Sequence, residues 1–285
     1  MRTWFNLRLA LLLLLLLVLT GELTAYLQAN PRFDVLDFVG VFIRNIQSEA
    51  LTVAISVVLV ELLRRRHHTQ HERQMLMTQL GSPNAVFASE AARVLRARGW
   101  LVDGALRRAF LAQANLEGVQ LWSADLAEAE LMESNLCEAN LHRANLEGAA
   151  LWGANLRGAE MMAARLHKAN LRKADLSSAK LWQADFSEAV LEHADLRGAN
   201  LRNANLRHAL LQRASLEGAT FLKANLQGAD LSHARFDTTT ILPDGSAWSP
   251  EVDMGRFTNP QHAHFWRPGF DDSDPPTWYR VAEVD

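Results

Sequence analysis

Three histidines in a short polar stretch are the first residues whose type and spacing suggest chemistry. His67, His68 and His71 lie close together, and imidazole is a common ligand of transition metals. Neighbouring positions on one solvated helix converge poorly on a single ion, and no cage of carboxylates accompanies them. We therefore expect no metal at these residues.

A second group near the C-terminus combines imidazoles with carboxylates. It consists of His262, His264, Asp253 and Asp271, which could ligate a metal if the fold brought them together. Six of the eight prolines and three tryptophans lie in the same segment, 237–285. That composition favours polar positions in a terminal cap over a metal site.

Nothing else in the sequence has the form of a catalytic motif. There is no nucleophile elbow, phosphate-binding loop, HExxH or convergent carboxylate pair. The single cysteine, Cys137, excludes an internal disulfide. It could be a reactive thiol, but an ordinary surface side chain is favoured. The sequence predicts a protein that is not an enzyme, without catalytic, cofactor-binding or metal-binding residues.

A repeat of five residues dominates the middle of the chain. It is visible in Ala114–Gly118, Ala139–Arg143 and Ala154–Gly158, each with leucine at its centre. We call the centre position i. Between residues 101 and 236 there are 28 centres, of which 24 are Leu, three are Phe and one is Met161. Position i−2 is Ala in 24 of the 28 repeats.

The period of five excludes a regular helix and a plain strand. At about 100° per residue the leucines would spiral around a helix, and along a strand they would alternate between its two faces. Within one repeat, however, i−2 and i point the same way if the segment is extended. The chain must then turn before the next repeat, so we expect a solenoid with leucine and alanine filling a narrow core.

These residues resemble the A(D/N)LXX consensus of pentapeptide-repeat proteins. The resemblance implies a mainly β fold, a right-handed quadrilateral parallel β-helix with four repeats per coil and about 7 coils. The segment Gly81–Gly104, with its Gly99-Trp100-Leu101 turn, also resembles the helical lead-in of bacterial members anchored by N-terminal helices. This second resemblance implies N-terminal transmembrane helices and a short helical cap. Within this family, some proteins mimic DNA, bind topoisomerase and protect against quinolones.

The N-terminal residues 1–63 predict a membrane anchor with two transmembrane helices. Arg2 and Arg8 precede an unbroken apolar run, Leu9–Leu19. A second apolar stretch is Leu51–Leu63. The first run could instead belong to a cleaved signal peptide. The second is short for a span, which needs about 20 residues, and could be an interfacial helix.

The arginines predict the orientation of this anchor. Arg64, Arg65 and Arg66 follow the second stretch directly, and basic clusters beside a span mark its cytoplasmic side. A patch for nucleic acid is the other interpretation of these arginines. We expect the inner (plasma) membrane as location, with the repeats in the cytoplasm.

Three further regions follow the anchor. Residues 64–100 predict a polar helix and a capping helix, 101–238 the repeats, and 239–285 a C-terminal cap with a loose tail. The capping helix is expected to have Ser82 as N-cap and to end before Gly99. Its apolar stripe is predicted to be Phe87, Ala91, Val94 and Leu95. Trp248, Phe257, Phe265 and Trp266 are expected to cover the last coil.

One outward column is unusually apolar. Four repeats per coil place residues 20 apart on one face. Positions i−1, i+1 and i+2 are expected to face water. One i+1 column consists of Val102, Trp122, His142, Met162, Trp182, Arg202 and Leu222. Exposed apolar patches mark contact sites, so this column is the candidate interaction face. The capping helix, the tail or a second copy could also cover it, and Trp152, two faces away, has no role in this scheme.

Charge along the repeats is uneven. Residues 117–147 contain seven acids and one base, whereas 157–213 contain ten bases and six acids. A DNA mimic of the quinolone-resistance type needs a strongly acidic rod, so nucleic acid is an unexpected partner. The alternative functions are such a topoisomerase-binding DNA mimic and a self-associating structural protein. The favoured function is a membrane-anchored scaffold that binds an unknown protein partner or a second copy of itself.

Overall fold

The computed structural model describes Gln28, Val39, Val41 and residues 50–267. The chain forms two compact units, Met1–Glu72 and Arg73–Asp285. The described helices are α1 (Ala50–Leu80), α2 (Ala85–Ala97) and α3 (Gly255–Thr258). The second apolar stretch and the predicted polar helix are therefore parts of one helix, α1.

The repeats form a four-sided parallel β-helix. Parallel bridges join position i−1 of each repeat to the residue 20 further on, from Phe110–Glu130 to Ser215–Arg235. Each bridge is one residue long, because a five-residue side has room for only a short extended segment before it turns. The fold is thus a β-helix built from isolated bridges rather than from continuous strands.

Leucine and alanine fill the core as the spacing predicts. The side chains at position i from Leu101 to Leu226 are at most 2% exposed, and the alanines at i−2 between Ala114 and Ala224 are at most 1% exposed. Phe186, Phe221 and Met161 occupy the same inward positions. A core this narrow has no interior cleft between the coils.

Each corner is a hydrogen-bonded turn. The N–H of residue i+3 donates to the carbonyl of residue i, as Ala154 does to Leu151 at 3.0 Å. The third residue of the turn has positive φ, which type II turns require. Many of these residues are not glycine; Lys173 and Glu188 both have φ of 58°. The tightly packed coils impose this conformation on them.

Position i−1 does not simply face water, and in this it differs from the prediction. Most of these residues are half-buried, and Asn205 is buried. The Asn155 Oδ1 accepts from the Arg157 N–H at 3.2 Å, and its Nδ2 donates to Asn135 Oδ1 at 3.0 Å. The preference for Asn or Asp therefore has a physical cause: the side chain satisfies the one amide of the repeat that the coils leave unpaired.

Helix α2 lies over the first coil. The carbonyl of Ser82 accepts from the Asn115 N–H at 2.9 Å, and that of Leu101 accepts from the Asp125 N–H at 2.8 Å. The helix ends in a Schellman motif: Gly99, with φ of 75°, donates to Arg96, and Trp100 donates to Leu95. These bonds close the open ladder at the N-terminal end of the repeats.

Two details of this cap differ from the prediction. The N-cap is Asn84, whose Oδ1 accepts from the Val86 N–H at 2.9 Å, and Ser82 instead accepts from the N–H of Asn84. Phe87 is 57% exposed, because the helix turns a neighbouring alanine inward. The buried face consists of Ala88, Ala91, Ala92 and Leu95, with Val94 partly buried beside it.

The C-terminal segment packs against the last coil. Phe257 is buried, and Phe236 stacks on Trp248 with ring centroids 5.6 Å apart. Trp266 meets Phe257 edge-on at 6.0 Å. The last parallel bridge joins Thr220 to Ile241, an offset of 21 rather than 20, so one extra residue ends the regular repeat. Asp271 and the predicted loose tail lie outside the described residues.

Among the residues described, no helix combines the length and the apolar character needed to cross a membrane. The first predicted span, which contains Leu9–Leu19, lies outside the described part of the chain.

Candidate interaction face

The predicted column lies along one corner of the β-helix. Ser123 donates its N–H to the carbonyl of His142, Arg143 to Met162, and Ala163 to Trp182, at 2.7–2.9 Å. Neighbouring coils are therefore in register, and residues 20 apart stack directly. Val102, Trp122 and Trp182 are 59%, 45% and 40% exposed, Arg202 is exposed, and His142, Met162 and Leu222 are half-buried.

The capping helix covers the N-terminal end of this column. The Arg96 guanidinium lies 3.8 Å from the centroid of the Trp122 ring, within the range of a cation–π contact. Its Nη2 also donates to the carbonyls of Gln120 and Trp122 at 2.9 and 3.2 Å. Burial lowers the pKa of Arg96, but guanidinium stays charged in proteins. Trp122 therefore holds the cap in place as well as facing outward.

The C-terminal cap lies beside the other end. A Cβ built on Gly245 would be 3.3 Å from Leu222 Cδ1. The turn around Gly245 is closed by its own N–H, which donates to the Leu242 carbonyl at 2.9 Å, and Lys223 donates to Pro243 at 2.8 Å. Glycine suits this turn because its φ is 89°. Leu222 is thus partly covered within the chain.

The middle of the column stays open. His142, Met162, Trp182 and Arg202 lie between the two caps, and the Trp182 ring has no ring or cation contact among the described residues. The Nδ1 atom of His142 is buried without a hydrogen-bond partner. We call this stretch, His142–Arg202 along the column, the open face. It offers an indole, a thioether and a guanidinium on a rigid surface.

Several charged side chains on the other faces form ion pairs between coils. Arg165 meets Glu147 at 3.1 Å and Lys180 meets Glu160 at 2.7 Å. Further pairs join Arg108 to Glu128, Lys168 to Glu188 and Arg172 to Glu192. The acidic and basic parts of the sequence therefore interleave on the surface, and the described rod has no uniformly acidic face.

Other side chains that could ligate a metal or act as a nucleophile form no such site within the described structure. The described residues contain no group of three or more His, Cys, Asp or Glu side chains able to hold a metal ion. His262 Nε2 instead lies 2.9 Å from Asp253 Oδ2 within the cap. Cys137 is half-buried, and burial together with neighbouring carboxylates raises the pKa of its thiol, which disfavours a reactive thiolate.

Sequence reasoning missed Arg96 as part of this surface. It lies 26 residues before Trp122 and outside the repeat, so no periodicity connects the two. Trp152, 36% exposed on the opposite corner, contacts Lys173, whose Nζ lies 5.9 Å from the ring centroid. Lys173 follows Trp152 by 21 residues, one more than a coil of 20, so the sequence predicts that the two lie side by side on neighbouring coils.

Known proteins share the repeat. The family model for pentapeptide repeats (8 copies) matches residues 114–149, 139–177, 169–207 and 199–237. HetL, a pentapeptide-repeat protein involved in heterocyst differentiation regulation in the cyanobacterium Nostoc sp. strain PCC 7120, is 36% identical. That match covers 50% of this chain and 76% of HetL, with a TM-score of 0.25.

Two other solved structures are similar over part of their length. Rfr23 from the cyanobacterium Cyanothece 51142 is 36% identical, covering 35% of this chain and 62% of that one, with a TM-score of 0.20. QnrB1, a plasmid-mediated fluoroquinolone resistance protein, is 18% identical, covering 59% and 84%, with a TM-score of 0.24. No curated protein sequence matches the chain. The family model and the 36% identity to HetL, over 76% of that protein, show that the chain belongs to the pentapeptide-repeat family, whose repeats imply a right-handed quadrilateral β-helix.

Proposed function

We propose that this protein is a non-catalytic scaffold that binds a protein partner through the open face. The observation that carries the proposal is the exposed indole of Trp182 between Met162 and Arg202. Tryptophan and arginine are the residues that most often dominate binding energy at interfaces. The ladder of backbone hydrogen bonds beneath them keeps the surface rigid, so little conformational entropy is lost on binding.

The described rod supports a binding role better than a catalytic one. Its interior is filled with leucine and alanine, whereas enzymes act in clefts with convergent polar groups. A second copy of the chain is the other occupant of the open face that we consider. Nucleic-acid mimicry finds less support, because basic residues alternate with acidic ones along the coils and several of the acids form ion pairs with them.

We also propose that residues 1–63 tether the scaffold to the inner membrane, with the repeats in the cytoplasm. The proposal rests on the sequence: the apolar run Leu9–Leu19, the apolar start of α1, and Arg64–Arg66 directly after it. Residues 57–63 of α1 include six apolar side chains that are each exposed within the described structure.

A cross-linked pull-down from native membranes tests the scaffold. Trp182→Ser should abolish capture of the partner, whereas Trp152→Ser, a change of the same indole on the opposite corner, should leave it intact. Trp122 is unsuitable because its ring also holds Arg96. Capture of the same proteins by all three forms would contradict the proposal, and capture of this chain alone would assign the face to self-association.

A further inference from the structure

The corner opposite the open face carries a row of basic side chains that the proposed function does not use. Position i+2 on four successive coils is Lys173, His193, Arg213 and His233, and all four are exposed. We call this row the basic corner. Backbone hydrogen bonds join the successive coils here: the N–H groups of Lys173, His193 and Arg213 donate to the carbonyls of Glu192, Gln212 and Ser232, in that order. The four side chains therefore stack in register.

These side chains are poorly neutralised by the protein. Within the described structure, neither Arg213 nor His193 has a side-chain hydrogen bond or an ion pair. The nearby Glu192 is engaged by Arg172. Asp230 accepts hydrogen bonds from Ser232 and Gln212 at 2.5 and 2.6 Å and keeps its negative charge, which acts on His233 at the C-terminal end of the row. No carboxylate occurs in the row itself from Lys173 to His233.

The basic corner continues into an aromatic surface. Trp152, one coil before Lys173, is 36% exposed, and the Lys173 Nζ lies 5.9 Å from its ring centroid. Met132, one coil before Trp152 in the same column, is half-buried. A single line along the rod thus passes from an apolar end to a cationic one.

We propose that this line binds an extended acidic peptide that carries an apolar side chain at one end. Coils rise about 4.8 Å each, so the four basic positions span about 14 Å. An extended peptide of about five residues covers that distance, with side chains on one face about 6.7 Å apart. Its carboxylates would meet Lys173 and Arg213, and an aromatic or aliphatic residue would lie on Trp152.

A narrow ligand fits this corner better than a nucleic acid. The row is one residue wide, and the columns beside it contain Glu192 and Asp230. A duplex would place phosphates against those carboxylates, whereas a single extended peptide can follow the row. The proposal is independent of the partner at the open face, because the two surfaces lie on opposite corners.

Fluorescence anisotropy with the intact, detergent-solubilised protein tests this. The probe is a labelled 12-residue peptide with Glu at alternate positions followed by Trp. Lys173→Glu/Arg213→Glu should weaken binding at least about tenfold, because two attractive contacts become repulsive. Arg157→Glu, an exposed arginine on another corner, should leave it unchanged. His193→Lys/His233→Lys should tighten binding, an effect that misfolding cannot imitate.

Three results would overturn the proposal: equal affinity in all variants, equal binding of a peptide with Lys in place of Glu, or tighter binding of a single-stranded oligonucleotide of the same length. Trp152→Ser should weaken binding of the acidic peptide. It should not affect capture of the partner that Trp182→Ser loses. If the peptide does not bind while Trp182→Ser still abolishes capture of the partner, the proposal for the basic corner is refuted and the scaffold proposal stands.

Discussion

At the scale of single residues, alanine at i−2 sets how closely the four sides of a coil approach. Ala154 is fully buried between the leucines at Leu151 and Leu156. Arg157, three residues on, occupies an exposed corner. The same repeat thus contains one position that tolerates no added volume and one that is open to solvent.

Ala154→Leu should destabilise the protein by about 1–3 kcal/mol, because three extra carbon atoms must be forced into a filled core. Arg157→Leu should change stability by less than about 0.5 kcal/mol. Chemical denaturation of both variants measures the difference. Equal losses would refute the assignment of inward and outward positions.

At the scale of elements, the two caps close ladders that would otherwise be open to other chains. The C-terminal closure depends on Asp237. Its Oδ1 accepts from the N–H groups of Gly218 and Thr239, each at 3.0 Å, and from the Thr239 hydroxyl at 2.7 Å. The hydrogen bond from Thr239 is the main cause that lowers the pKa of Asp237 below its ordinary 3.8.

The C-terminal closure should therefore weaken in acid. A carboxylate whose folded pKa is depressed stabilises the fold above its ordinary pKa, and this stabilisation is lost as the pH falls through the folded value, below about 4. Asp237→Asn should lower the melting temperature at pH 7 and reduce its further fall in acid. Glu130→Gln, an exposed change far from the cap, is the control. An identical pH profile for wild type and Asp237→Asn would contradict this role.

At the scale of the whole molecule, the sequence predicted the repeat region well and the caps only partly. The leucine and alanine spacing follows from core packing, which repeats identically in every coil. The N-cap at Asn84 and the exposed Phe87 depend on how α2 rests on the first coil, a contact without periodicity. The pairing of Arg96 with Trp122 is likewise tertiary, and the bonding role of Asn155 became clear only from the unpaired amides of the coil.

The proposed tether makes a prediction about topology. A reporter fused after Asp285 should be active only in the cytoplasm, since Arg64–Arg66 follow the apolar start of α1. Green fluorescent protein and alkaline phosphatase fusions in a bacterial host measure the two sides. Phosphatase activity in the periplasm would overturn the orientation.

The most direct test of the scaffold is photo-cross-linking in cells from a benzophenone side chain placed at Trp182. We expect an adduct with a different protein from this position, and none from a benzophenone at Arg207, a half-buried corner position in the neighbouring column. No adduct from Trp182, or the same adducts from both positions, would contradict a partner bound at the open face.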